Sequence, residues 1–261
     1  MTFLDHLEQL RWHLIRAVGS IFLFAIIAFA NKEFIWTSVI MAPSRSNFWT
    51  YRMMCRISDQ LCIKKLDFKL ISIEMASQFT MALTTSLLIG VMFAFPYAFW
   101  EIWRFIKPGL YPRERKASSG AVFFVTFLFL LGVFFGYYIV SPLAINFLAN
   151  FKLDEAIENQ FTVSSYLSTL AMLTLACGIT FQLPVVAFFL SKAGIVTPAF
   201  MREYRRHAFV VILVLAAVIT PSPDIYSQLL VSFPLFLLYE VSIWVSAAVA
   251  RQRMKELESE G

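Results

Sequence analysis

Charge is scarce in this chain: Asp, Glu, Lys and Arg make up only 15% of the 261 residues, against 59% hydrophobic residues and 28 phenylalanines. So little charge excludes an ordinary water-soluble domain. Histidine is also sparse, and His6, His13 and His207 are dispersed without the spacing of a zinc site. No glycine-rich phosphate loop and no nucleotide-hydrolysing domain can be read from the residues. The chain therefore reads as no enzyme, with no cofactor and no metal. Any work it does must draw on the membrane potential, a proton gradient or a partner. No internal repeat is visible either, which weighs against the inverted-repeat transporter architectures.

Long uncharged stretches are what the chain has instead. They run from Met75 to Trp100, Ala117 to Phe151 and Asn159 to Ser191, each longer than the roughly 20 residues that cross a bilayer core of about 30 Å. A first span from Leu14 to about Ala30 follows a polar start, and two shorter runs, 208–220 and 228–239 continuing to Ala250, flank Thr220-Pro221-Ser222-Pro223-Asp224. The expectation is an all-α, single membrane domain with six spans near 14–32, 75–100, 117–141, 162–191, 207–219 and 228–249. Ala28-Phe29-Ala30 has the small-x-small form of a cleavage site. Asp5 and Glu8 beside Arg11 and Arg16 leave no clearly positive leader, so the first span reads as a retained helix.

Basic residues set the orientation. Fourteen of them (before the first span, in 103–116, in 192–206 and after the last span) fall on one side. The connection 31–74 is the exception, with seven bases, but it also carries Glu33, Asp59, Asp67 and Glu74 and is long enough to escape the short-loop rule in part. Both termini are expected in the cytoplasm, and the net charge of +5 follows from topology rather than from nucleic-acid binding. Residues 2–13 repeat Phe3 and Leu4, Leu7 and Leu10 at helical spacing, a short amphipathic surface helix leading into the first span. The polar segment 33–74 reads as an extracytoplasmic cap of short helices and loops. Cys55 and Cys62 would face the oxidising side there, where a disulfide and an unpaired role are both open. Cys177, inside a span, reads as a packing residue.

The loop 103–116, WRFIKPGLYPRERK, sets one carboxylate, Glu114, among Arg104, Lys107, Arg113, Arg115 and Lys116. Pro108-Gly109 and Pro112 stiffen it into a turn, so that an acid is held in place at the cytoplasmic surface, a natural receptor for a guanidinium. The same bases also serve topology. Deeper in the chain, Glu240 lies within the last span, where an acid is costly and usually functional or bundle-facing. Gln182 sits mid-span beside Pro184, whose ring frees a backbone carbonyl, and Asp224 and Gln228 stand at the start of the sixth helix, a capping arrangement. The fifth and sixth spans look undersized: His207–Ile219 has 13 residues, about 20 Å at helical rise. Such a helix thins the bilayer or shelters against neighbours.

These features together resemble TatC, the multi-spanning receptor family of the twin-arginine translocase. The resemblance rests on Phe3…His6-Leu7…Leu10-Arg11, Phe105-x-x-Pro108-Gly109-Leu110-x-x-x-Glu114-Arg115, Phe181-Gln182-Leu183-Pro184-Val185, and Thr220-Pro221…Asp224-x-x-Ser227-Gln228 followed by Pro234…Tyr239-Glu240. It implies a curved, glove-like bundle of six helices in the bacterial cytoplasmic membrane, with both termini inside. It implies binding of twin-arginine signal peptides of folded precursors, recruitment of the single-span partners TatA and, where present, TatB, self-association, and transport driven by the proton-motive force. The signal-peptide site would comprise Glu114, Arg115, Phe105, Pro108, Leu110, Leu10 and Arg11. Gln182, Gln228, Asp224 and Glu240 would help seat partner helices. Two positions depart from the family pattern. Gln9 stands where members typically carry Glu, with Glu8 one residue away and so rotated about 100° around the helix; Gln182 stands where many carry a buried Glu. The competing reading of the residues is a proton-coupled small-solute transporter relying on Glu240.

Overall fold

The computed structural model describes residues 3–57, 68–106, 120–152, 154, 159–192, 194–220 and 225–258. Helices dominate. In chain order they are α1 (Phe3–Ala30), α2 (Lys32–Phe34), α3 (Trp49–Ile57), α4 (Ser77–Ile106), α5 (Ala121–Phe135), α6 (Ser141–Asn150), α7 (Val163–Thr180), α8 (Leu183–Lys192), α9 (Pro198–Glu203), α10 (Arg205–Ile219) and α11 (Ile225–Glu258). Two π-helical segments, Ile35–Ile40 and Gly136–Val140, follow α2 and α5. Among the described residues, five stretches are long and apolar enough to cross a membrane: Glu8–Ala30, Ser77–Ile106, Val122–Asn150, Val163–Lys192 and Val231–Arg251. Large apolar side chains such as Phe22, Phe93, Phe123 and Trp244 are exposed on them, as expected where the surrounding solvent is lipid.

The chain divides into two compact units, one of residues 1–48, 64–127 and 152–171, the other of 49–63, 128–151 and 172–261. The first is built on α1 and α4. Their contacts run His13 with Glu101, Phe24 with Phe93 and Ile21 with Gly90, so the two helices are antiparallel. The seam is made of small residues: Ala17, Ala25 and Ala28 on α1 and Ser86, Gly90 and Ala94 on α4 are all buried. At Gly90 an added Cβ would lie 2.7 Å from the Ile21 carbonyl oxygen. Only glycine allows this approach, the usual device for packing helices without help from water. The same unit holds a two-stranded parallel sheet, β1 (Lys69–Ile71) paired with β2 (Gln160–Thr162), in register Leu70 with Phe161. The hydropathy pattern gives no sign of these strands, which are too short to alternate. Tyr166 ties α7 to the π-helical segment by donating to the Ile40 carbonyl at 2.7 Å.

In the second unit, Gly132 and Gly136 lie one turn apart against α7: an added Cβ would come 2.6 Å from the Cys177 carbonyl oxygen and 2.9 Å from Thr174 Cα. A core of Val140, Ala144, Leu173, Cys177, Phe181, Ile212, Ala216, Ile219, Val231 and Leu235 continues from there. Pro142 cannot donate to the Tyr138 carbonyl, four residues back. Thr50 of α3 supplies that hydrogen bond instead, and the fully buried Tyr51 donates to the Pro142 carbonyl at 3.0 Å. The π-turn is closed by Ser141, which donates to the Gly136 carbonyl at 2.8 Å. Thr197 caps α9 by accepting from the Phe200 amide at 3.2 Å, with Pro198 at the first helical position.

The last two helices differ in length. α10 has 15 residues, about 22 Å at helical rise, and is shorter than a bilayer core of about 30 Å. α11 is not, because it extends over 34 residues. The expected span 228–249 already passes through Glu240, and the helix runs on at both ends, from Ile225 to Glu258. The helix continues through Glu240 because Arg205 donates to its carboxylate at 2.7 Å.

Candidate functional site

The amino-terminal motif and the start of the loop motif meet where α1 lies along the last turns of α4. Glu8, Gln9, Leu10 and Arg11 are exposed on α1. Gln9, Trp12, His13 and Arg16, along one face of α1, line an open surface depression of about 370 Å³. Phe105 belongs to this place as well: its ring lies 6.2 Å from that of His13, tilted by 59°. Arg11 lies over the Trp12 ring at 5.8 Å, and Arg104 over Trp100 at 4.7 Å, so guanidinium and indole groups alternate along both helices, as they do at membrane–water interfaces. Pro108, Leu110, Glu114 and Arg115 lie outside the described residues, as does Asp224.

Beneath His13 is an acid that the sequence reading did not select. Glu101 is 1% exposed. Its Oε2 accepts from His13 Nδ1 at 2.5 Å and its Oε1 from the Tyr97 hydroxyl at 2.9 Å. Arg16 and Arg104 stand off at 4.0 and 3.9 Å. A buried carboxylate persists only with such partners. Glu101 escaped notice because the uncharged run ends at Trp100, which places the next residue in a loop; the helix in fact continues to Ile106. Helical spacing was the usable signal, since Tyr97, Glu101 and Arg104 lie on one face of α4.

The other predicted residues fall in the second unit. Gln182 occupies the break between α7 and α8, where its backbone carbonyl accepts from the Val185 and Val186 amides at 2.9 and 3.0 Å. Pro184, lacking an amide hydrogen, fits the first turn of α8. Gln228 donates from Nε2 to the Leu213 carbonyl at 3.1 Å, joining α11 to α10. Glu240 is paired with Arg205 rather than alone, their side chains 27% and 47% exposed. Cys55 is in a disulfide and Cys177 is a buried free thiol; Cys62 lies outside the described residues.

Residues 5–234 match the family model described as TatC, Sec-independent protein translocase protein. The chain is 37% identical over 260 residues to the Sec-independent protein translocase protein TatC of Blattabacterium sp. subsp. Periplaneta americana (strain BPLAN), covering 97% of each. It is 36% identical over 262 residues to the TatC of Halalkalibacterium halodurans, covering 100% of this chain and 95% of that one. Among solved structures, a crystal structure of the twin-arginine translocase receptor TatC in the detergent DDM superposes with a TM-score of 0.70 at 30% identity, covering 92% of this chain and 99% of that one. The chain belongs to the TatC family of Sec-independent protein translocase proteins and is a multi-pass membrane component of the twin-arginine translocation pathway.

Proposed function

We propose that this protein is the signal-peptide receptor and scaffold of a twin-arginine translocase in a bacterial cytoplasmic membrane, passing folded precursors outward at the expense of the proton-motive force. The observation that carries the reading is the contact of His13 on α1, beside Gln9, Trp12 and Arg16, with Phe105 at the end of α4, because it brings the helix of the amino-terminal motif to the first residue of the loop motif. Glu114 is the acid that takes a signal-peptide arginine. A carboxylate and a guanidinium form two parallel charge-assisted hydrogen bonds that lysine cannot match. Leu10, Arg11, Phe105, Pro108, Leu110 and Arg115 complete the binding surface, with Gln9 and Glu8 at its border.

In this reading α10 is a sixth crossing, short enough to thin the bilayer, and both termini are cytoplasmic. Gln228, Asp224, Gln182 and Glu240 help to seat the single-span partners TatA and, where present, TatB, and copies of the chain associate in the working translocase. The test is binding of a fluorescent twin-arginine peptide to the purified full-length protein at low ionic strength. Glu114→Gln is expected to weaken binding by roughly tenfold, the worth of one charge-assisted pair. Equal affinities would exclude the role given to Glu114.

A further inference from the structure

Glu101 has no part in the reading above, although it lies between the two motifs that reading joins. Several observations define its position. It is 1% exposed. Its close hydrogen bonds are to His13 and Tyr97, at 2.5 and 2.9 Å, whereas the guanidiniums of Arg16 and Arg104 remain at 4.0 and 3.9 Å. Across the helix pair, the contact is thus directed at one ring rather than spread over a cluster of charges. That ring also lines the open depression formed with Gln9, Trp12 and Arg16, and it faces Phe105 at 6.2 Å.

The pair is not needed to bring α1 and α4 together. The small-residue seam around Ala17, Ala25, Gly90 and Ala94 already does so. His13 lies toward the amino-terminal side of that seam, among exposed Leu10, Trp12 and Leu14, where packing alone does not choose a rotation for α1. A hydrogen bond from a buried carboxylate does choose one, because any other rotation leaves the carboxylate buried without its partner.

We infer that Glu101 is a positioning residue of the signal-peptide site. Through His13 it fixes the rotation of the first turns of α1, so that His13 faces Phe105 with Gln9, Trp12 and Arg16 beside it. The inference rests on the receptor reading and adds to it a specificity determinant. With the two motifs held in register, an arginine pair is measured against both at once; without that register, the guanidinium loses the fixed geometry that sets it apart from an ammonium.

The experiment uses full-length protein in detergent with twin-arginine and twin-lysine versions of one fluorescent peptide. Glu101→Ala and His13→Ala are each expected to lower affinity for the arginine peptide by roughly tenfold, and the double variant by no more than either single one, the signature of residues acting as a unit. The lysine peptide changes little, so the arginine-to-lysine preference falls. Glu101→Gln, which keeps the shape, moves the preference in the same direction, and its melting curve reports whether the fold is intact. His13→Arg, which keeps a donor for Glu101, retains the preference. Additive losses, or equal weakening of both peptides, overturn the inference. If Glu101→Ala binds normally while Glu114→Gln does not, the inference fails and the receptor reading stands. A wild-type protein with no preference for arginine over lysine would sink the receptor reading itself.

Discussion

Tyr51 shows what a single buried hydroxyl does in this protein. It is fully buried in α3 and donates to the carbonyl of Pro142, the residue whose ring interrupts the neighbouring helix. Replacing it with Phe removes that hydrogen bond and is expected to cost about 1 kcal/mol, seen as a lower melting temperature in detergent, with peptide binding unchanged. Burial also pushes the Tyr51 phenol above its usual pKa. The sign of the consequence is fixed by linkage. In the unfolded chain the phenol ionises near about pH 10, whereas in the folded protein it keeps its proton, so the unfolded state gains stability as pH rises beyond that point. Melting temperature should therefore fall above pH 10 more steeply in the wild type than in Tyr51→Phe. Identical slopes would show that this phenol is open to water.

Glu240 poses a different question at the same scale. Its pair with Arg205 is partly exposed, so Glu240→Gln should change stability by no more than about 1 kcal/mol. A solute transporter that relied on this acid would lose activity entirely. Export of a twin-arginine reporter measured in cells should instead persist in Glu240→Gln, because the charge serves to carry α11 past a polar position and not to move a proton.

Among the elements, the α1–α4 pair was the most legible in sequence and its end the least. Two long apolar runs joined by a polar connection are visible from composition alone, since crossing lipid demands length and apolarity and little else. Where α4 stops is not visible in that way. A charge marks the end of a hydropathy run, but not the end of a helix, so Glu101 fell outside the expected span while remaining inside the structure. The parallel pairing of Lys69–Ile71 with Gln160–Thr162 joins segments far apart in sequence over three residues each, and no local pattern could reveal it. Small residues in the seam were readable only afterwards, because a glycine in an apolar run has no distinctive period of its own. Their weight can be measured. Gly90→Val must push α1 away or distort the Ile21 turn, given the 2.7 Å approach of even a Cβ. A loss of roughly 1–3 kcal/mol is expected from such overpacking, with lower yield of folded protein. Gly19, whose added Cβ would meet nothing within 4 Å, is the matched control, and Gly19→Ala should be neutral or mildly stabilising.

For the whole molecule, the distribution of charge and the chemistry of cysteine bear on the same question of sidedness. Basic residues gather at the ends of α1, α4, α8–α10 and α11, whereas the connection holding α3 carries bases and acids together. Cys55, in α3, is disulfide-bonded, and disulfides persist where the compartment is oxidising. The topology proposed above has α3 on the outer side and the ends of α1 and α11 within. A membrane-impermeant maleimide applied to intact cells discriminates the two orientations. No label is expected before reduction, since Cys177 is buried and the Cys55 thiol is committed. After a thiol reductant that is then removed, label should enter from the outside and disappear in Cys55→Ser/Cys62→Ser. Labelling after reduction confined to inverted vesicles would place α3 in the cytoplasm. It would reverse the orientation, and with it the side on which a signal peptide must arrive.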